Sequence, residues 1–305
     1  MWNLVLTSAL ALTCPEGTTL AGTAAETWCE RAVVGAVVRD GPTEGFYADG
    51  KLAFTGAYAA GKKTGLWSYR RADGTLEREG TYAFDQFAGE WTYWFEGGAR
   101  WYTGGYVAGK AHGDWTYWDT TGALEAKGRF LNGAKYGTWV QFWPSGGKRS
   151  EGSYLTGLKS GTWTTWREDG TVESTVPFKA GLEQGVEKLY APNGAVVSEG
   201  PYDAGKRHGT FTLSYDTGAK KSVQVWEHDV KQGHWEGWYD NGALRFSGDL
   251  LDGKENGIWV QGWPNGQKKG EGRFIAGVAE GDWTWWNEDG RVDHVERWVA
   301  GVRQP

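Results

Sequence analysis

The chain has 305 residues, a net charge of −6 and 39% hydrophobic residues, among them 21 Trp, 14 Tyr and 11 Phe but one Met. This composition argues against a conventional aliphatic core. Because lysine and arginine are spread through the chain and form no basic stripe, it also argues against nucleic acid as a partner. No apolar run reaches the ~18 residues that a membrane-spanning helix needs.

The N-terminal segment, residues 1–13, is apolar and contains no charged side chain. Ala9, Leu10 and Ala11 fit the small-x-small pattern of a cleavage site, which predicts a signal peptide and an exported protein, periplasmic or in the cell envelope. The alternative is a short apolar first strand, in which case the protein would be cytoplasmic.

Cys14 and Cys29 are the only cysteines. In an exported chain they are expected to form a disulfide, worth roughly 3 kcal/mol, which closes an N-terminal cap over residues 14–40. Residues 28–39 would form a first strand or hairpin of this cap. Acylation of Cys14 is the less favoured alternative, because the preceding residues lack the usual leucine and small residue. No metal site is predicted, since two cysteines without a nearby histidine cannot supply four ligands.

The region 41–305 consists of eleven repeats of 24 residues, which fill residues 41–304 with no insertion between them. We number the positions of each repeat from 1 to 24, so that position 1 of repeat 1 is Gly41. Gly occupies positions 1 and 10 in every repeat, Trp or Phe occupies position 3 in nine, and position 18 is aromatic in ten. A column pattern that recurs in this way indicates that the repeat is the structural unit.

Each repeat predicts one β-hairpin. Position 10 is always Gly, and it follows residues such as Pro at position 8 and Asn or Asp at position 9. These residues suit a three-residue hairpin loop that ends in a left-handed residue. A second glycine turn at position 21 would join each hairpin to the next. The sequence therefore predicts an all-β fold of successive antiparallel hairpins.

Repeats 6 to 8 depart from the pattern. Val176 replaces Gly at position 16, Glu187 replaces Trp at position 3, and Pro177 and Pro201 stand at position 17. Because proline lacks a backbone donor, we predict a bend, bulge or loosened strand pairing around residues 174–230. Simple drift of the repeat and an interruption that binds a partner are the two explanations.

A second aromatic row stands at position 6. Positions 3 and 6 are three residues apart, which is not the period of one face of a strand, so the two rows lie on opposite faces or a bulge rotates one of them. An exposed aromatic row is typical of a binding surface. We therefore predict a binding face at position 6, formed by Trp94, Trp118, Trp166, Trp238 and Trp286.

The pattern Gly-x-Trp-x-x-Trp/Tyr-x-x-Asn/Asp-Gly, followed by Gly-x-Tyr-x-x-Gly-Lys-x-His-Gly, resembles MORN repeats, most closely the 24-residue variant of bacterial proteins. Residues 104–115 and 205–209 show it well. The resemblance implies an elongated, twisted antiparallel sheet that serves as an interaction scaffold, with any catalysis in other domains. Many bacterial members are labelled as antitoxins, which does not fit an exported chain, because it could not neutralise a cytoplasmic toxin.

We expect neither catalytic residues nor a cofactor. His112 and His208 stand in turns, Asp169 belongs to an Asp-Gly turn, and the sequence contains no nucleophile or phosphate-binding motif. The predicted function is a non-enzymatic scaffold for a protein partner. The alternative is carbohydrate or cell-wall binding, in which polysaccharide rings stack on the Trp and Tyr rows. The acidic charge and the lack of a polybasic patch argue against a membrane surface.

Overall fold

The computed structural model describes residues 12–305, and every regular element in this range is a β-strand. The predicted all-β fold of successive antiparallel hairpins is therefore confirmed. The described part of the chain contains no helix that is long and apolar enough to span a membrane. Most of the segment predicted as a signal peptide or first strand, residues 1–11, lies outside the described residues. The described part of the chain divides into two compact bodies, which meet in sequence between Gly146 and Gly147.

In the N-terminal body, consecutive strands pair antiparallel in chain order. Its strands are β1 Thr19–Gly22, β2 Glu26–Val33, β3 Ala36–Phe46, β4 Leu52–Ala59, β5 Lys62–Arg70, β6 Leu76–Ala83, β7 Gln86–Trp94, β8 Arg100–Val107, β9 Lys110–Trp118, β10 Leu124–Leu131 and β11 Ala134–Phe142.

The C-terminal body follows the same antiparallel order, and two of its long strands are each broken in two. Its strands are β12 Lys148–Leu155, β13 Leu158–Trp166, β14 Val172–Lys179, β15 Leu182–Glu183, β16 Gly185–Tyr190, β17 Val196–Asp203, β18 Lys206–Arg207, β19 Gly209–Ser214, β20 Lys220–Glu227, β21 Val230–Trp238, β22 Leu244–Leu251, β23 Lys254–Gly262, β24 Lys268–Ile275, β25 Val278–Trp286, β26 Val292–Val299 and β27 Val302–Arg303.

The first turn of each repeat is the predicted three-residue hairpin loop. In repeat 1 the Gly50 N–H donates to the Tyr47 carbonyl at 2.9 Å, and the Tyr47 N–H donates to the Lys51 carbonyl at 2.8 Å. The Asp49 side chain accepts the Lys51 N–H at 3.1 Å, which fixes the turn locally. Position 10 has φ between 79° and 89° in all eleven repeats, which explains why only Gly occurs there.

Substitution of this glycine tests the turn. Gly122→Val is expected to destabilise repeat 4 by about 1–3 kcal/mol, because φ is 88° and a β-branched side chain is strained there even though a Cβ would meet no atom within 4 Å. Gly97→Val is the matched control, since Gly97 lies in the same loop of repeat 3 without a positive φ. Equal thermal unfolding of the two variants would contradict the turn assignment.

The second turn differs from a simple glycine turn, because two successive residues adopt positive φ. Ala60 has φ 49° and Gly61 has φ 81°, and the same pair of values recurs in every repeat. This is the type I′ geometry that matches the twist of the flanking strands. Asp85 and Asp229 take the place of Gly at position 21, as Asp tolerates this region better than most residues.

The tryptophans at position 3 form the core of the fold. Trp67 and Trp91 are 1% and 0% exposed, and a Cβ placed on Gly80 would lie 2.2 Å from the Trp91 ring. The Trp at position 3 of one repeat therefore rests on the Gly at position 16 of the preceding repeat. Its indole N–H donates to the carbonyl at position 17, as Trp91 does to Thr81 at 2.9 Å, except at Trp283, whose indole nitrogen has no partner among the described residues. The same Gly–aromatic contact occurs at Gly56–Trp67, Gly104–Trp115, Gly128–Trp139, Gly152–Trp163, Gly200–Phe211, Gly248–Trp259 and Gly272–Trp283.

A β-bulge accompanies this packing. The register between β4 and β5 shifts between Thr55 and Ala57, so that Gly56 faces three residues of the partner strand, and Gly65 at position 1 turns that strand with φ 66°. Such a bulge reorients the following side chain, here Trp67, without ending the ladder. The glycines at positions 1 and 16 thus serve the same local structure, the bulge on which the position-3 ring packs.

Strand pairing is interrupted in repeats 6 to 8, as predicted for residues 174–230. Gln184 separates β15 from β16, and His208 separates β18 from β19. Both breaks lie opposite a proline, and the N–H groups of Gln184 and His208 donate to the carbonyls of Pro177 and Pro201 at 2.8 and 3.0 Å. The missing proline donors account for the interruptions.

The predicted N-terminal disulfide is present. Cys14 and Cys29 are bonded with their Cα atoms 5.5 Å apart, and Cys29 is fully buried. The expected first hairpin is formed by β2 and β3. Arg39 on β3 pairs with Glu26 on β2 at 2.6 Å and covers the Trp28 ring at 4.4 Å, which ties the two strands together. Since the Cys14 sulfur is in the disulfide, it carries no acyl group in this structure.

Candidate interaction surface

The position-6 tryptophans lie on the face opposite to the position-3 core. Trp67 stacks on Tyr69 at position 5 with 5.9 Å between ring centroids, so positions 3 and 5 share a face and position 6 points to the other side. The sequence left open whether the two aromatic rows lie on opposite faces or a bulge rotates one of them, and the structure places them on opposite faces. All five candidate residues, Trp94, Trp118, Trp166, Trp238 and Trp286, are half-buried.

The five tryptophans do not form one uninterrupted row. Trp94 and Trp118 belong to adjacent repeats of the N-terminal body. In the C-terminal body the three candidates lie in repeats 6, 9 and 11, and Tyr190, Ser214 and Gly262 occupy position 6 in the repeats between them. Phe142 and Tyr190 also carry rings at position 6, so this column is aromatic in every repeat from 3 to 7 and is interrupted by Ser214 and Gly262 in repeats 8 and 10.

Basic side chains lie over three of these rings. Arg100, at position 12 of repeat 3, lies 5.3 Å from the Trp118 ring centroid. Lys148 and Lys268, at the same position, lie 5.6 and 5.0 Å from the rings of Trp166 and Trp286 in the next repeat. Each lysine also pairs at 2.5 Å with a glutamate three residues later. The recurring patch is a tryptophan ring beneath a cation, a contact worth about 0.5–1 kcal/mol at an exposed site.

The edge beside this face is held by side-chain hydrogen bonds between repeats, which the sequence did not indicate. The residue at position 7 donates to the carbonyl at position 6 of the next repeat, as the Tyr47 hydroxyl does to Arg70 at 2.6 Å. The Asn193 amide at position 9 similarly donates to the Asp216 carbonyl at 2.8 Å. Tyr, Trp and Arg side chains at position 7 supply such a donor, whereas Phe95, Asp119 and Ala191 at the same position do not. Further examples are Tyr215–Trp238, Tyr239–Gly262 and Trp263–Trp286.

The core face carries a row of cations at position 23. Lys63, Lys135 and Lys159 lie 4.2, 4.1 and 4.5 Å from the rings of the position-3 Trp of the next repeat. Burial lowers the pKa of Lys135. Burial also raises the pKa of Tyr82 and Tyr106 to about 12, so these phenols stay neutral at physiological pH. On this face the lysines at position 23 pack on the tryptophan rings at position 3.

One histidine has the hydrogen bonds of a Ser–His–Asp arrangement. His234 Nδ1 lies 2.8 Å from Asp249 Oδ1, and its Nε2 lies 3.0 Å from Ser247 Oγ. The bond to Asp249 raises the pKa of His234, and Glu236, 3.5 Å from Nε2, acts in the same direction. The two carboxylates thus favour the imidazolium form, in which Nε2 donates to Ser247 Oγ. The grouping at positions 2, 15 and 17 of repeat 9 was missed because no motif links these columns in sequence.

The His234 contact predicts a pH dependence. Its pKa in the folded state is raised above the unfolded value, so the contribution of the pair to stability is complete below pH ~6.5 and is lost as the pH rises through the folded pKa. Asp249→Asn should lower the His234 pKa in an NMR titration. Asp252→Asn is the control, since Asp252 bonds to Gln232 instead. An unchanged pKa in Asp249→Asn would refute the assignment.

Within residues 12–305 no group of three or more His, Cys, Asp or Glu side chains is placed to hold a metal ion. His208 and His228 do approach each other, with ring centroids 4.5 Å apart, and His228 Nε2 lies 3.6 Å from Asp203 Oδ2. These three residues lie at the second-turn edge of repeats 7 and 8, where Gln184 also bonds to Asp203 at 3.0 Å. Their contacts join neighbouring turns.

Residues 183–204, which span β15 to β17, match a family model described as a MORN repeat variant. This match supports a MORN-repeat protein and hence a repeat scaffold. No curated protein matches the sequence.

Two solved structures are distantly similar. The crystal structure of TcdB2-TccC3 is 10% identical with a TM-score of 0.18, over 92% of this chain and 20% of that one. The crystal structure of TcdB2-TccC3 without its hypervariable C-terminal region is 12% identical with a TM-score of 0.15, over 89% and 21%. This chain spans about a fifth of the length of those chains, and similarity at these TM-scores carries no inference.

Proposed function

We propose that this protein is a non-enzymatic scaffold that binds a protein partner through the position-6 face. The observation that carries the proposal is the recurring patch of a half-buried tryptophan beneath a basic side chain, seen at Trp118, Trp166 and Trp286. Trp and Arg are enriched among the residues that dominate protein interfaces, especially where they are partly desolvated. Several such patches along one repeat array would let a partner bind at more than one point.

A protein partner fits this face better than a polysaccharide. A sugar ring must stack flat on an open aromatic ring, whereas Arg100, Lys148 and Lys268 each lie over a ring on this face. The cations offer instead a charge-assisted contact to acidic or carbonyl groups of a protein. Carbohydrate binding at position 6 is therefore the second candidate.

We further propose that the protein functions outside the cytoplasm, in the periplasm or cell envelope. The Cys14–Cys29 disulfide supports this, because structural disulfides persist in oxidising compartments. Fractionation of cells followed by alkylation of free thiols tests it. A protein found in the cytoplasmic fraction with both thiols alkylated without prior reduction would overturn the proposal.

Trp118→Ala is the variant that tests the binding face. It should weaken partner binding by about 2 kcal/mol or more, roughly 30-fold, if Trp118 is an interface anchor. The full-length wild type, Trp118→Ala and Trp101→Ala would be immobilised and compared for capture of envelope proteins, and any captured protein would be purified and titrated by calorimetry. Trp101 is the control because it is 44% exposed but does not belong to the position-6 column.

The proposal requires a protein that binds wild type and Trp101→Ala but not Trp118→Ala, while all three unfold at closely similar temperatures. Equal affinity of Trp118→Ala for the purified partner would contradict it. The same three proteins tested against soluble peptidoglycan fragments and oligosaccharides address the alternative. Saccharide binding that depends on Trp118 would place carbohydrate recognition first.

A further inference from the structure

A cavity of about 420 Å³ opens on the core face of the C-terminal body between repeats 9 and 10. Its aromatic walls are Phe246, Trp259 and Phe274, and Arg245, Glu255 and Lys269 stand among the polar residues around them. Trp259 is half-buried, whereas the other position-3 tryptophans are at most 8% exposed. The volume lies within the range of small-ligand pockets, about 300–1,000 Å³.

The repeat itself shows why the cavity exists. Repeats 1 and 2 carry the same arrangement, with Phe54 stacked on Trp67 at 5.7 Å and 23°, just as Phe246 stacks on Trp259 at 6.3 Å and 23°. There, however, Tyr69 packs against Trp67 at 5.9 Å. The equivalent of Tyr69 in repeat 10 is Gln261, which has no ring to fill this space.

Two further replacements leave the Trp259 ring less covered than the Trp67 ring. Lys63 covers the Trp67 ring at 4.2 Å, and its equivalent beside Trp259 is Glu255. Tyr58 packs edge-on against Trp67 at 5.3 Å, and its equivalent is Leu250, a smaller side chain. Together with Gln261, these changes remove two aromatic rings and exchange a cation for a carboxylate. An aromatic ring that is covered elsewhere in the array is thus open to a ligand at Trp259.

The three charged side chains at the cavity contact aromatic rings or no charged group. Lys269 lies 4.5 Å from the Trp263 ring centroid, and Arg245 lies 5.9 Å from the Tyr239 ring centroid. Among the residues that the structure describes, Arg245, Glu255 and Lys269 form no ion pair. The cavity therefore presents two cations, a carboxylate and the Gln261 amide, all free to contact a ligand.

We propose that this cavity binds an acidic sugar, a hexuronate unit of a polysaccharide. The pyranose ring stacks on the open face of Trp259, since the C–H groups of sugars pack well on indole rings. The ligand carboxylate pairs with Lys269 and Arg245, which bind such an anion through charge-assisted hydrogen bonds. The ring hydroxyls donate to Glu255 and exchange hydrogen bonds with Gln261.

An acidic sugar accounts for all the groups, whereas an aromatic carboxylate does not. Glu255 accepts hydrogen bonds and repels a second anion, so it requires a ligand with donors of its own. The hydroxyls of a sugar supply these donors, and a plain aromatic acid has none. This cavity is on the opposite face from the position-6 tryptophans, so the inference extends beyond the proposed protein scaffold.

The test is calorimetric titration of the full-length protein with tetragalacturonate and with maltotetraose, which shares its α-1,4 linkage but lacks the carboxylates. Tetragalacturonate is expected to bind at least tenfold more tightly. Lys269→Gln should reduce its affinity at least tenfold. Lys221→Gln should leave it unchanged, because Lys221 occupies the same position 13 in repeat 8 and lies 5.5 Å from the Tyr215 ring in the same way.

Gln261→Tyr provides a variant that keeps the fold. It introduces the residue that repeats 2 to 4 carry at position 5, so the ring should fill the cavity, abolish binding and leave thermal stability unchanged or higher. Trp118→Ala should bind tetragalacturonate as the wild type does, which separates this inference from the protein-binding proposal. Three results would each overturn the inference. They are no binding of tetragalacturonate at about 10 mM, equal affinity for maltotetraose or for the aromatic acid phenylacetate, and retained binding of tetragalacturonate by Gln261→Tyr.

Discussion

Replacing Trp91 with alanine is expected to cost about 3–5 kcal/mol of stability in the N-terminal body. Trp91 is fully buried, its indole N–H donates to the Thr81 carbonyl at 2.9 Å, and its ring lies directly over Gly80. Alanine would remove the ring and leave both Gly80 and the Thr81 carbonyl without their partner. Because each repeat packs mainly on its neighbours, the loss should be greatest in repeats 2 to 4.

Urea denaturation combined with native-state hydrogen exchange would measure this effect, since exchange reports each repeat separately. Trp101→Ala is the control, because Trp101 is 44% exposed and its removal should cost about 1 kcal/mol or less. Comparable destabilisation by the two substitutions would mean that the position-3 ring is not the core of the repeat.

Gly152→Ala is expected to destabilise the C-terminal body by at least about 1–3 kcal/mol, although it adds a single methyl group. The new Cβ would lie 2.2 Å from the Trp163 ring, so the indole must move away. That displacement also breaks the hydrogen bond from Trp163 Nε1 to the Ser153 carbonyl at 3.2 Å. The effect should appear as a lower urea midpoint with local loss of exchange protection in repeats 5 and 6.

Gly147→Ala is the matched control for this substitution. Gly147 is five residues away, has no positive φ, and a Cβ there would meet only the Glu168 carbonyl oxygen at 4.0 Å. Its replacement should be neutral or slightly stabilising, because alanine loses less chain entropy on folding. If Gly152→Ala behaved in the same way, contact with Trp163 would not explain the glycine at position 16.

Repeat 6 contains a compensated exception to the glycine at position 16. Val176 stands at position 16 of repeat 6, and the next repeat carries Glu187 instead of Trp at position 3. A valine leaves no room for an indole ring, and the two columns change together because they are in contact between repeats. Glu187 is half-buried as a result, and burial raises its pKa.

Repeat 8 shows a second way to accept a side chain at position 16. Gln224 replaces the glycine, and its amide turns to Ser222 Oγ at 3.0 Å. Trp235 remains buried, in a cluster with Trp226, which stands where most other repeats have Tyr or Phe. The glycine can therefore be replaced when the neighbouring ring changes as well, which is why a single substitution at Gly152 should be costly.

The sequence by itself determined the local geometry of this protein. Gly at position 10 after Asn or Asp predicts a loop with a left-handed residue, and Gly50 has that conformation. Pro177 and Pro201 predict the interrupted strands, and the cysteine count predicts the disulfide between Cys14 and Cys29. All of these features depend on residues close in sequence or on covalent chemistry.

The tertiary structure alone decided which tryptophans are buried and where a cavity remains. A period of two residues assigns faces within a strand, but the bulge opposite Gly56 breaks that period, and there Trp67 packs on this glycine of the preceding repeat. The cavity at Trp259 likewise is lined by side chains from two successive repeats, among them Phe246 and Gln261. Such contacts join residues that are 10 or more positions apart. The residue type at one repeat position does not predict them, because they depend on the residue in the neighbouring repeat as well.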